Sequence, residues 1–176
     1  MLEVEVLEEF GAEPVTLEEA KVFCRVDADY TGDDDMLTSL IKSARQRIEH
    51  FANISLVPKR VRAFWDEVGY TLNLPFYPVR EIESVVDDEG ESVYYKPKGK
   101  HKIEVPHASD FFVTYTTGYE VLPDDLKLAV LKQVLTDYDH RENFVINGNT
   151  QQLTGVNLSN DAKSLIAPHN RTLIWL

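Results

Sequence analysis

Residues 33–53, DDDMLTSLIKSARQRIEHFAN, constrain the fold of this chain more than any other stretch. Met36, Leu37, Leu40, Ile41, Ala44, Ile48 and Phe51 recur at intervals of three and four, the rhythm of a helix with one apolar stripe. Lys42, Arg45, Gln46, Arg47 and Glu49 fall mostly on the other side. Three aspartates crowd the start, where the helix dipole favours negative charge. Burying the stripe is worth on the order of 10 kcal/mol gross, before the entropy of ordering the chain is subtracted. It needs a covering helix, and residues 123–143 supply one. There Pro123 stands at an early helical position, and Leu126, Ala129, Val130, Gln133, Val134, Asp137 and Tyr138 share one period. Leu128, Leu131 and Leu135 widen the apolar face, which predicts two neighbours: the 33–53 helix and another subunit.

The remaining stretches are shorter. Thr16-Leu17-Glu18-Glu19 is a capping box that opens a short helix over 16–26. Ahead of it, residues 1–14 read as an extended or poorly ordered N-terminal segment, with Val4, Val6 and Phe10 as anchors. Alternation and β-branched or aromatic content predict strands at 61–66, 70–74, 79–86, 93–95, 102–105 and 111–116, with a hairpin turn at 87–90. After residue 144 a polar, turn-prone linker leads to a short helix within 158–167, opened by Ser159 or Asn160, and then to an apolar end. The expected fold class is α+β and mainly helical. It is a small bundle of two long helices plus short helices, with an inserted small antiparallel β-sheet or hairpin region. The expected organisation is a segment 1–14, a domain 15–144 (helices 16–26, 33–53 and 123–143, β insert 57–117) and a linker and docking tail 145–176.

Charge and motif content narrow the function. The formal net charge is −12, which argues against a surface built to hold nucleic acid. The acid is concentrated: residues 1–56 carry 13 acidic and 5 basic side chains. The single cysteine, Cys24, leaves no internal disulfide and no Cys-based zinc site, and reads as a small core or half-buried residue. No run of about 18 apolar residues predicts a membrane span, and the acidic N-terminus does not read as a signal peptide. Asp27, Asp29 and Gly32 match the first, third and sixth places of a calcium loop, but the place that needs a bidentate Glu is Thr38. The five histidines (His50, His101, His107, His140 and His169) show no ligand spacing, and no GxSxG, Walker or GxGxxG motif occurs. No catalytic, cofactor-binding or metal residue is therefore assigned. The one basic cluster is Lys96, Lys98, Lys100 and Lys102, with Tyr94, Tyr95 and His101 around Gly99. It reads as a solvated loop or, functionally, as a tip that touches an acidic neighbour or a DNA backbone through Lys96, Lys98 and Lys100.

The order of pieces carries a resemblance. Val15-Thr16-Leu17-Glu18-Glu19-Ala20-Lys21 with Arg25-Val26-Asp27 comes first, and then the acidic loop into Leu37, Leu40, Ile41, Ala44 and Arg45. Leu74-Pro75, Pro78-Val79, Ile82 and Ser84-Val85 follow, then Tyr115, Gly118-Tyr119 and Leu122-Pro123-Asp124-Asp125-Leu126-Lys127, and last Leu165-Ile166-Ala167-Pro168 with Arg171. Over nearly the whole chain this resembles the head–tail connector (portal adaptor, head-completion) family of tailed bacteriophages. The resemblance implies a structural virion protein, not an enzyme. It implies a ring of about twelve subunits that docks under the portal after DNA packaging. Such a ring extends the DNA channel, lets DNA pass without specific binding, and offers a platform to a stopper or tail-completion protein. It also implies assembly in the host cytoplasm, a place at the head–tail interface of the virion, and no membrane. On this reading Leu128, Leu131, Leu135 and Tyr138 form the subunit interface, and Arg171, Leu173, Ile174, Trp175 and Leu176 dock on the portal. The apolar end departs from the family's pattern. Two other readings exist: a small metal-dependent hydrolase using Asp27, Asp29, Asp33 and Asp35, and a cellular adaptor that binds a basic partner through the acidic N-terminal third.

Overall fold

Seven strands and four helices form among residues 2–66, 70–106, 110–140 and 158–170, which the computed structural model describes. They divide between two compact units, each discontinuous in sequence. The first combines Met1–Ala12 with Asn53–Val121, and the second combines Glu13–Ala52 with Leu122–Asn170.

The first unit is all β. Strands β1 (Leu2–Glu9), β2 (Lys59–Trp65), β4 (Val79–Asp87) and β7 (Phe111–Thr117) make an antiparallel sheet in the order β1-β2-β7-β4. Strands β3 (Thr71–Asn73), β5 (Lys96–Pro97) and β6 (Lys102–Glu104) make a second antiparallel sheet in the order β3-β6-β5. Alternation decides what each strand buries. In β2 that is Val61, Ala63 and Trp65, and in β7 Phe111, Val113 and Tyr115. Leu72, Leu74, Val85, Ile103 and Val105 complete one apolar core shared by both sheets. Polar anchors fix the turn into β4. The Tyr115 hydroxyl donates to the Pro75 carbonyl at 2.7 Å, and burial pushes its phenol pKa up. Thr117 Oγ1 lies within hydrogen-bond distance of the Phe76 and Pro78 carbonyls, 2.8 Å from the latter. The Tyr77–Pro78 peptide is cis. Gly118 N–H donates to the Pro78 carbonyl at 2.9 Å, and its φ of +109° suits glycine.

The second unit is helical: α1 (Leu17–Cys24), α2 (Asp34–Ala52), α3 (Asp124–Asp139) and α4 (Asn160–Ile166), followed by a 3-10 turn at Ala167–His169. The capping box forms: Thr16 Oγ1 accepts from Glu19 N–H at 3.2 Å, and Glu19 accepts from Thr16 N–H at 3.0 Å. Leu37, Ile41, Ala44, Ile48 and Ala52 bury the stripe of α2, while Leu126, Ala129, Val130 and Val134 do the same on α3. Helix α3 packs on α1, α2 and α4. Two cations are buried with partners. Lys21 Nζ reaches the carbonyls of Ala28 (3.2 Å) and Tyr30 (2.8 Å) and the carboxylate of Asp34 (2.6 Å), closing the loop between α1 and α2. Arg45 lies between Glu13 (2.8 Å) and Glu49 (3.0 Å). Gln133 Oε1 accepts from Ser159 N–H at 2.8 Å, tying α4's cap to α3.

The mainly helical fold class is corrected by these elements. Among the described residues 37% are helical and 29% are in strands, and the strands form two sheets rather than a small insert. The largest single reason is β1. Its Leu-Glu-Val-Glu-Val alternation makes it a full partner of β2, with Val4 opposite Ala63 and Val6 opposite Val61. Residues 93–95 are also not a strand: Val93 N–H donates to the Val85 carbonyl at 2.9 Å, and the pairing with β6 starts at Lys96.

Candidate assembly surfaces

Among the described residues, helix α3 has a second face that packing leaves partly open. Leu128, Leu131 and Leu135 recur at helical spacing and line up on it, with Leu128 exposed and the other two half-buried. Tyr138 is not part of that row. It is buried, and its hydroxyl donates to Asp33 at 2.5 Å, joining the end of α3 to the start of α2. Beside the row, Leu131 meets Val22 and Phe23 of α1 in a mainly apolar groove of about 380 Å3, rimmed by Glu18 and Glu19. Val22 is 77% exposed, an unusual position for an aliphatic side chain on a short helix. Lys127 pairs with Glu19 at the groove's edge. The Lys127 ammonium, then the Thr16 backbone N–H, hold the Glu19 carboxyl below the usual range. Counting helical positions from buried Ala20 puts Val22 outside.

Lys96, Lys98 and Lys100 are all exposed and lie in and just beyond β5, in the turn that leads to β6. Lys98 pairs with Glu104, whose carboxyl it holds below the usual range, and Lys96 stands opposite the same residue in register. Lys100 and Pro97 face Val79 and Ile82 of β4 across an open cleft of about 630 Å3. The residues expected to dock on the portal, Arg171, Leu173, Ile174, Trp175 and Leu176, lie outside the described residues, as do 141–157.

The acidic loop before α2 is committed internally. Asp27 accepts from Asp29 N–H at 3.2 Å, Asp33 accepts from Tyr138, and Asp34 pairs with Lys21. Among the described residues no group of three His, Cys, Asp or Glu is arranged to hold a metal ion. No helix among them is long and apolar enough to cross a membrane.

A family model described as head completion protein matches residues 14–174. The chain belongs to the head completion protein family. It is a structural head–tail connector protein, as the order of its sequence pieces implies. Three solved structures are similar over almost their full length. A chain in the neck of an empty gene transfer agent particle, computed with C6 symmetry, is 20% identical, with a TM-score of 0.69 and coverage of 99% of this chain and 97% of that one. A chain in the virion of the native gene transfer agent particle is 18% identical, with a TM-score of 0.70 and coverage of 98% and 97%. A chain in the neck of the native particle, computed with C12 symmetry, is 20% identical, with a TM-score of 0.58 and coverage of 97% and 98%. They share the fold with this chain. Comparison with curated protein sequences finds no match.

Proposed function

We propose that this head completion protein works as a ring in the virion neck, of about twelve copies, docked beneath the portal after DNA packaging. The ring extends the DNA channel and presents a platform to a stopper or tail-completion protein. The part is structural and needs no enzymatic step. The observation that carries the ring is the open apolar row Leu128, Leu131 and Leu135 beside the Val22–Phe23 groove. A family member whose own helices leave such a row uncovered has a place for a neighbouring copy. The apolar residues Leu173, Ile174, Trp175 and Leu176, with Arg171, supply the anchor on the portal. The formal charge of −12 suits a channel through which DNA slides, because few phosphate contacts mean little retention.

Electron microscopy of the purified protein mixed with purified portal tests this reading. Closed rings stacked on the portal are expected. Portals that stay bare at saturating protein would rule it out.

A further inference from the structure

The first unit carries patches of opposite charge towards its two edges. At one edge of the four-stranded sheet runs β1, and among the described residues no strand pairs with its outer side. Residues 1–10 carry Glu3, Glu5, Glu8 and Glu9 and no basic side chain. Glu9 is paired with Lys59 at 3.0 Å. Glu8 stands opposite Arg60, whose guanidinium is held by Glu83 at 2.7 Å. Glu5 stands opposite Arg62, which lies over the Phe112 ring at 4.6 Å, and Glu3 faces Phe64, with no cation opposite it. The acidic edge is thus only partly neutralised from within. Val4 and Val6, at the same edge, are exposed although their register partners Ala63 and Val61 are fully buried.

Beside the other edge strand, β4, which carries Glu81, Glu83 and Asp87, lies a basic and aromatic hairpin. The hairpin of β5 and β6 lies on the β4 side of the unit, across the cleft from Val79 and Ile82. Strand β4 is three strand spacings from β1, roughly 14 Å across the sheet. Residues 94–102 hold four lysines and no acid, and Tyr94 beside them is 78% exposed. Glu104 already faces both Lys96 and Lys98, and Glu81 lines the cleft with Lys100 and Lys102, so the four lysines share few carboxylates among the described residues.

We infer that β1 of one subunit receives the lysine hairpin of the next copy, in a head-to-tail contact that repeats around the ring. This deepens the proposed ring and rests on it. Complementary patches at opposite edges of one unit suit a heterologous contact, in which each copy uses both patches with different neighbours. An open strand edge supplies backbone hydrogen-bonding groups, the carboxylates and ammonium groups fix the register, and Val4 and Val6 offer apolar area to Tyr94.

Charge reversal on the full chain tests the contact, with ring formation on purified portal read by electron microscopy. Reversing one edge (Glu3→Lys, Glu5→Lys and Glu8→Lys) or the other (Lys96→Glu, Lys98→Glu and Lys100→Glu) sets like charges at every junction, and ring yield is expected to fall about tenfold. Mixing the two reversed proteins, or combining all six changes in one chain, is expected to restore rings. Wild-type yield from each singly reversed protein would overturn the contact and leave the ring reading standing. Bare portals with the unaltered protein would overturn both. A second measurement needs no variant: carbodiimide joins carboxylates directly to amines in the unaltered ring. Mass spectrometry is expected to find Glu3, Glu5 or Glu8 linked to Lys96, Lys98 or Lys100. Rings that yield no such link overturn the contact, even if the variants fail to fold. So does a hairpin that joins only to an added DNA end.

Discussion

Single residues in this protein act mostly through the backbone they hold. At Gly118 a Cβ would sit 2.6 Å from the Val57 carbonyl oxygen, at a φ that side chains rarely adopt. Both conflicts act on main chain, which cannot swing aside. Gly118→Ala is therefore expected to cost roughly 1–3 kcal/mol, read by thermal or denaturant unfolding, with the loss centred on the β unit. Glu19 works differently, as an acceptor shared by Lys127 and the helix cap. Its carboxyl is held down in the folded state, so its stabilisation is complete above the ordinary carboxylate range. It fades as pH falls through the lowered value. Because the pair is well exposed, the effect is modest. Glu19→Gln is expected to flatten the acid limb of the stability profile while leaving the neutral plateau only slightly lower. A pH series of unfolding midpoints that keeps the same slope in both proteins would exclude this role.

Among the elements, legibility followed period and length. The stripe of α2 repeats over 19 residues, so Leu37, Ile41, Ala44 and Ile48 announce a buried helix face without help from the rest of the chain. Thr16 and Glu19 mark their helix by local hydrogen bonding alone, and the bonds are present. The strands carry far less signal each: β3 and β6 have three residues and β5 two, so their weight appears only when pairing assembles them. Strand β1 is the instructive case, because its alternation was visible, but nothing local says that β2, some fifty residues later, will pair with it. Of the candidate surface, the row Leu128, Leu131 and Leu135 could be read from helical spacing. Tyr138 shares the helix, but its hydroxyl finds Asp33, a partner far away in sequence. Val22 is 77% exposed and makes little of the core, so Val22→Asp is expected to cost no more than about 1 kcal/mol, and Leu128→Asp, at a side chain 36% exposed, roughly 1–2 kcal/mol, with the fold kept in both. The same substitutions should abolish ring formation on the portal, measured by sedimentation and microscopy. Rings of normal yield from both variants would remove this face from the interface.

For the whole molecule, attachment and ring closure are separable. Removing residues 171–176 is expected to leave the unfolding transition of the remaining chain intact and to abolish attachment to portal-bearing heads. Unchanged attachment, scored by co-sedimentation with heads, would refute the anchor. The partly neutralised glutamates of β1 also determine what this chain will not do. An open strand is most simply satisfied by a copy of itself, which would give two-fold dimers or stacked sheets. Glu3, Glu5 and Glu8 set against their own copies would place like charges along the whole join. The edge therefore disfavours a two-fold join with its own copy and leaves its pairing groups to a segment of opposite charge.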